Sequence, residues 1–430
     1  MIVGPPRVTA AGDEVTVEAP VTFEDGAGPR GGGTAWPPAL YFTFPRTLAP
    51  FVSTRADAFA AALLPLAMRR REPLRLHGEL SCRLAHGLRD YQRIQAAWKP
   101  EFFGVVEVEC DGVAGRRGEE GSGAVGSAFS GGVDSFHTLW THLPAHEPYP
   151  PYALTHCLMI NGFDGDTDLD GEGVRFRALR QVYEPMLAEL GLPLLVVRTN
   201  LRRFVDPWVL EQAFAAAVTA PALALGQLFS RFYLPSSGVF AVYADARDGG
   251  HPMLDHLLST ETLETIHDGG HLTRIEKTVA LSRWPATFHR LRVCFRPTAV
   301  RPEAGGVINC CACEKCLRTM AALEAAGALP RYTCFPQPLT RRRLRGTDCR
   351  RPAARFFALE TIRYARSAGR RDVARDLRLA VLLSATFRPW LARLVALSNA
   401  LQIRSRPYAA AVRFPKALVR RLGWGRDWLY

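Results

Sequence analysis

Two short stretches of this chain carry residue types whose spacing suits chemistry. The first is Ser130-Gly131-Gly132-Val133-Asp134-Ser135. Two adjacent glycines open backbone conformations closed to other residues and bring N–H groups close to a ligand. A helix starting here adds orphan N–H donors and the positive end of its dipole, a setting for an anion such as phosphate. Ser130 and Ser135 add hydroxyl donors, whereas Asp134 would repel a bare phosphate and is better suited to holding Mg2+ or a water beside it. No Lys follows the glycines, so the Walker pattern is excluded, and a dinucleotide fingerprint is missing as well.

The second stretch is Cys294-x15-Cys310-x2-Cys313-x2-Cys316, with Cys311 as a spare thiol that could replace Cys310. Closely spaced cysteines on a tight turn point sulfurs at one ion, and a distant fourth closes a tetrahedron. Zinc (Zn2+) is the expected metal, and an iron–sulfur cluster is the alternative. Four protein ligands favour a closed, structural site over a catalytic zinc with bound water. The remaining cysteines, Cys82, Cys110, Cys157, Cys334 and Cys349, are scattered and read as buried or free thiols.

Ser-Gly-Gly-x-Asp-Ser between a strand and a helix resembles the signature of the PP-loop, or N-type ATP pyrophosphatase, superfamily. Combined with the cysteine spacing, residues 125–325 resemble 7-cyano-7-deazaguanine synthase and its relatives. The resemblance implies a Rossmann-like nucleotide domain, a structural zinc, ATP with Mg2+, and adenylation of a carboxylate followed by attack of ammonia. It assigns Ser130, Gly131, Gly132, Val133, Asp134 and Ser135 to the ATP phosphates. Asn161, in Asn161-Gly162-Phe163-Asp164, falls where such proteins contact adenine and ribose. Three departures mark this chain as divergent: about 120 additional N-terminal residues, a basic C-terminal extension of about 100, and a longer first gap in the cysteine motif.

Other polar residues lie between the two motifs. Ser236, in Ser236-Ser237-Gly238, sits at a later strand end and is placed to line nucleotide or substrate. Arg274 and Lys277 stand one helical turn apart, on one face, and would neutralise charge on leaving pyrophosphate. Together with Asp134 they form the expected catalytic set. Asp255 is a further Mg2+ or substrate contact, and His251 and His271 read as structural.

The elements that must position these residues follow from apolar periodicity. Residues 125–129, 153–160 and 194–197 read as strands, and 134–142, 174–190 and 208–229 as helices. Such alternation predicts a parallel sheet with helices on both faces and ligands at the C-terminal strand ends. Residues 1–120 read as a separate α/β or β-rich module, with strands near 15–19, 40–44 and 102–108. Helices are expected at 58–64, stopped by Pro65, and at 91–98. The stretch 111–126 is a linker candidate, 121–330 the PP-loop domain, and 331–430 a basic helical extension. No internal repeat is apparent.

The 430 residues are 48% hydrophobic and 22% charged, the composition of an ordinary globular chain. The net charge of +13 is uneven. Residues 331–430 hold 23 Lys/Arg against 5 Asp/Glu, and the other 330 hold 31 against 36. That segment would suit RNA, DNA or an anionic membrane surface, or simply form a solvated helical face. No signal peptide is evident, and Arg378, Arg388, Arg393 and Pro389 interrupt the apolar run 377–401, so no transmembrane segment and a cytoplasmic location are expected.

The leading expectation is an ATP-dependent carbon–nitrogen ligase that uses a small carboxylate and ammonia or an amine, with self-association into a homo-oligomer compatible with the sequence. A PP-loop enzyme that thiolates or deazaguanylates nucleic-acid bases is the alternative. A silent scaffold retaining the loop is disfavoured by the intact loop and complete cysteine motif. An asparagine-synthetase-like reading fails because Met1 is followed by Ile2, not by a cysteine nucleophile.

Overall fold

The structure is a computed structural model and describes residues 1–23, 36–115, 122–163, 173–243, 249–294, 299–301, 303 and 305–386. Asp164, part of the linker candidate and the basic segment 387–430 lie outside the described residues. The chain divides into two compact units. The first comprises 1–130 with 134–272, the second 131–133 with 273 onward.

The first unit is built on one large, mostly parallel sheet. Residues 1–114 supply β1 (Ile2–Val3), β2 (Arg7–Ala11), β3 (Glu14–Thr22), β4 (Ala39–Pro45), β5 (Leu74–Ser81) and β6 (Val108–Ala114), with helices α1 (Asp57–Arg70) and α2 (Cys82–Trp98). In β3 the residues Val15, Val17, Ala19 and Val21 are buried while Glu14, Pro20 and Thr22 are exposed, the two-residue period of a half-buried strand. Strand and helix then alternate: β7 (Ala124–Ala128), α3 (Val133–Thr141), β8 (His156–Asn161), α4 (Val174–Glu189), β9 (Leu194–Thr199), α5 (Pro207–Gln212), α6 (Phe214–Ala224), β10 (Phe229–Pro235), α7 (Phe240–Tyr243), α8 (Pro252–Asp255) and β11 (Glu264–Asp268).

The strand order is β11-β10-β7-β8-β9-β4-β3-β1-β5-β6, with β2 paired to β3. The five strands from β7 to β11 are parallel, as the alternation requires. The N-terminal strands do not stand apart as a separate module. Strand β4 pairs antiparallel with β9, so backbone hydrogen bonding crosses the boundary expected near residue 120. Burial explains the merger: β4 presents Leu40, Phe42 and Phe44 to the same core as Leu158 and Val197.

Three local expectations are corrected. Helix α1 runs through Pro65 instead of stopping at it. A mid-helix proline forfeits a hydrogen bond and costs about 3 kcal/mol in isolation. Here every residue of α1 before Arg69 is buried, which outweighs that cost. Residues 102–107 are not a strand: Phe102 and Phe103 turn onto Trp208, with ring centroids 4.0 and 6.2 Å apart, and the strand starts at Val108. The helix expected over 208–229 is two helices, broken at Ala213 (φ −129°), and its last residue begins β10.

The second unit holds α9 (Arg274–Leu281), the hairpin β12 (Ala299–Arg301) and β13 (Gly306–Ile308), then α10 (Glu314–Ala325), α11 (Arg341–Arg345), α12 (Pro352–Ser367) and α13 (Arg371–Ala385). Ala321 and Ala325 of α10 share a core with Leu344, Ile362, Ala365, Val373 and Leu377. The helices expected after residue 331 are therefore present, but they pack onto the helix that follows the cysteines and form no separate extension. Asp376 is buried and anchors α11 by accepting from Arg341 Nε at 3.0 Å and Arg345 Nε at 2.9 Å. Among the described residues no helix is long and apolar enough to cross a membrane.

Candidate functional site

The loop between β7 and α3 closes on itself. Gly131 takes φ +72°, a conformation costly for any residue with a Cβ, and this turns the chain from strand into helix. Ser135, buried in the first turn of α3, accepts from the Ser130 amide at 3.2 Å, and the two hydroxyls lie 3.3 Å apart. Val133 opens the helix fully buried, and Asp134 follows it in the first turn. The Gly131 carbonyl accepts from the Arg292 amide at 2.7 Å.

Helix α3 is held to the sheet by a polar network that the sequence reading did not identify. Asp268, the last residue of β11, accepts from Thr138 Oγ1 at 2.6 Å and lies 3.0 Å from His142 Nε2. His142 Nδ1 lies 2.6 Å from Glu147, and its ring stacks on Tyr233 at 4.1 Å. Burial pulls the His142 pKa down, but the Asp268 and Glu147 carboxylates outweigh it and leave it raised. Burial likewise pushes Asp268 up, yet the His142 and Thr138 hydrogen bonds hold it below its ordinary range. The only clue in the sequence was a string of polar residues, because Thr138 and Asp268 are 130 positions apart.

Asn161 ends β8, the strand beside β7, and is buried; its Nδ2 has no hydrogen-bond partner among the described residues. The following Gly162 is required, since a Cβ there would lie 2.2 Å from the Thr199 carbonyl oxygen. Ser236 follows β10, on the other side of β7. Its hydroxyl donates to the Gly238 carbonyl at 3.0 Å and sits 2.9 Å from Tyr243 Oη, which fixes the turn. Asp255 is 1% exposed, with one oxygen accepting from the His251 amide and the other 2.7 Å from His267 Nδ1. That commitment makes Asp255 a structural residue, not the Mg2+ or substrate contact expected. His251 is structural as expected, bonded to the Tyr243 carbonyl and the Met253 amide.

Arg274 and Lys277 lie in the second unit, on α9, which a Thr273/Glu276 capping box starts. Lys277 is buried, so α9 is not the solvated helix that its charge pattern would suggest. Arg274 lies 5.8 Å from the Phe357 ring and lines a small cavity with Arg318 and Glu360. Glu360 is 3% exposed, and neither carboxylate oxygen has a hydrogen-bond partner among the described residues. Burial pushes its pKa up to about 7, with Arg363 opposing and Glu276 assisting.

The four cysteines come together in the second unit. The sulfurs of Cys294, Cys310, Cys313 and Cys316 all lie within 4.8 Å of one another. Individual separations are 3.8 Å for Cys294–Cys313, 3.7 Å for Cys310–Cys316 and 3.4 Å for Cys313–Cys316. A tetrahedron with metal–sulfur bonds of about 2.3 Å has edges of about 3.8 Å, so one ion such as zinc fits. A multi-iron core would need the thiolates spread more widely around it. Cys313 caps α10 and Cys316 lies in its first turn, where the helix dipole favours thiolates.

Cys311 is not a member of this group. Its φ is +53°, and its buried thiol turns away to the Asn309 carbonyl at 3.4 Å. Asn309 is the residue that the sequence reading missed. Its Oδ1 accepts from the Val293 and Cys294 amides, and its Nδ2 donates to the Leu291 and Cys334 carbonyls. One buried amide thus ties the Cys294 segment to the turn carrying the other three cysteines.

Fold and site together define an α/β protein with a four-cysteine site able to bind a metal such as zinc. No family model, no curated protein and no solved structure matches this chain.

Proposed function

We propose that the chain is an ATP-dependent ligase of the PP-loop type, similar to 7-cyano-7-deazaguanine synthase. It would cleave ATP between the α and β phosphates to adenylate a small carboxylate. The observation that carries this reading is the loop: a left-handed Gly131, with Ser130 and Ser135 hydrogen-bonded across it, at the C-terminal end of a parallel strand and the start of a helix. The unpartnered Nδ2 of Asn161 at the neighbouring strand end adds a buried donor suited to a nucleotide.

In this scheme a carboxylate oxygen attacks the α phosphorus, the bridging P–O bond breaks, and its electron pair leaves with pyrophosphate. Ammonia or an amine then attacks the acyl carbon, AMP departs, and a proton is lost from nitrogen. The loop amides and hydroxyls bind phosphate oxygens and hold the reacting groups in line. Asp134 is the residue to hold Mg2+, whose charge would offset that of the departing pyrophosphate. The four thiolates would bind zinc structurally.

The test is ATP–pyrophosphate exchange across a carboxylate panel. Exchange that is carboxylate-dependent and absent in Asp134→Ala supports the reading; no pyrophosphate turnover with any carboxylate sinks it. The base-modifying alternative is favoured by one observation, the exposed arginines of α12 and α13.

A further inference from the structure

Helices α12 and α13 bury their small apolar faces in the second unit's core and turn arginines outward. On α12 the exposed residues Arg355, Leu359, Arg363 and Arg366 fall within about 80° of arc at 100° per residue, and the exposed Arg351 precedes them at the N-cap. On α13, Arg371, Arg375, Arg378 and Leu382 fall within about 60°. A solvated helix of ordinary composition offsets such a row with acidic residues three or four positions away. None is exposed on α12, where Glu360 is the sole acidic residue and is buried. The side chains of Arg351, Arg355, Arg366 and Arg371 have no hydrogen-bond or ion-pair partner among the described residues, and that of Arg363 has only its electrostatic pull on buried Glu360. Elsewhere in the unit Arg341 and Arg345 are spent on Asp376 and Arg370 on Glu324 and Asp372; within the α13 row Arg375 also reaches Asp376, at 3.6 Å.

We infer that the arginine row of α12, continued on α13, is a docking surface for the phosphate backbone of a nucleic acid. The row from Arg351 to Arg366 is roughly 22 Å long, along which a single strand presents about six phosphates. Guanidinium groups recognise phosphate in a bidentate, planar fashion, and every basic residue in these rows is arginine. An anionic membrane is the less suitable occupant. Interfacial helices insert an apolar face, and the apolar face of α12 (Ala354, Ala358, Ile362 and Ala365) is already buried. Leu359 and Leu382 are the only large apolar residues on the two outward rows. This inference stands apart from the nucleotide chemistry proposed for the 130–135 loop.

The experiment measures binding of the full chain to a fluorescent 30-nucleotide RNA, the matching duplex DNA, and phosphatidylserine vesicles, across a salt series. The variant R351Q/R355Q/R363Q/R366Q is expected to bind nucleic acid at least tenfold more weakly. The slope of log affinity against log salt should shrink by about 3, four lost contacts at 0.7–0.9 each. Circular dichroism should not change, since all four side chains are exposed; R351Q/R355Q/R366Q, which leaves Arg363 beside Glu360, serves as a second variant if the melting temperature does. Unchanged affinity and slope in the variants, no nucleic-acid binding by the parent chain, or binding to vesicles alone would each overturn the inference.

Discussion

The four-cysteine cluster and the 130–135 loop are both short motifs, but they are completed by different parts of the molecule. The loop is local: a left-handed glycine, two serines five residues apart, and the start of a helix bring its groups together. The cluster is not local. Three ligands lie on one turn and the first turn of α10, while Cys294 arrives from another segment and is held by Asn309. A local device keeps its shape if distant parts loosen, whereas a cluster closed by a distant ligand stores folding energy in its metal.

The largest expected effect therefore lies at the metal. Cys313→Ser, or removal of metal by chelator, should unfold the second unit at 25 °C, since structural zinc supplies on the order of 10 kcal/mol in small metal-dependent folds. Metal content per chain and hydrogen exchange across residues 273–386 report it. Cys311→Ser sharpens the point: metal content should stay at one ion, because that thiol faces the Asn309 carbonyl. Loss of the ion in Cys311→Ser would break the ligand assignment.

Next comes Gly131→Ala. A Cβ at φ +72° adds roughly 1–2 kcal/mol of strain and would disturb the amides proposed to bind phosphate. Pyrophosphate release should fall about 100-fold or more, with the metal retained. Wild-type exchange rates in this variant would show that the loop does not set the reaction.

One buried and one half-buried titrating group give pH dependence of the same sign in different units. The Glu360 pKa is raised to about 7, so its folded form binds the extra proton. Stability from this residue is complete below its unfolded value near 4.5 and is lost as pH rises to about 7. Glu360→Gln should therefore stabilise the second unit at pH 8 by on the order of 3 kcal/mol and change little at pH 4. In the first unit His142 is also raised, so its contribution is present below its ordinary value of 6.5 and lost as pH rises above it. His142→Gln should flatten that dependence at a cost of about 1 kcal/mol below pH 6. Melting curves over pH 4–9, with exchange assigned to each unit, separate the two. A Glu360→Gln variant with wild-type stability at pH 8 would remove the first claim.

Much of the fold was legible in the chain. Three of the five parallel strands, β7, β8 and β9, fall within a few residues of their expected places, because each is a short apolar run bounded by turn residues, whereas no strand was expected at β11. The four-cysteine group was legible from spacing except for the choice of Cys310 over Cys311, which spacing left open and the left-handed backbone at Cys311 decides. The continuation of the sheet through β4 was not legible, because pairing 42–43 with 198–199 leaves no local trace. Pro65 misled for a related reason: propensity predicts a stop, and complete burial of α1 overrides it.

By itself, then, the sequence determined what short-range sterics and spacing control: the glycine turn, the strand and helix periods, and three thiols on one turn. Tertiary structure decided what depends on residues meeting across the chain: Cys294 joining through Asn309, Asp268 clasping α3, Asp255 turning inward, and Glu360 buried. Such meetings depend on loop closure and shared burial, and a pair 100 residues apart leaves no periodicity to read.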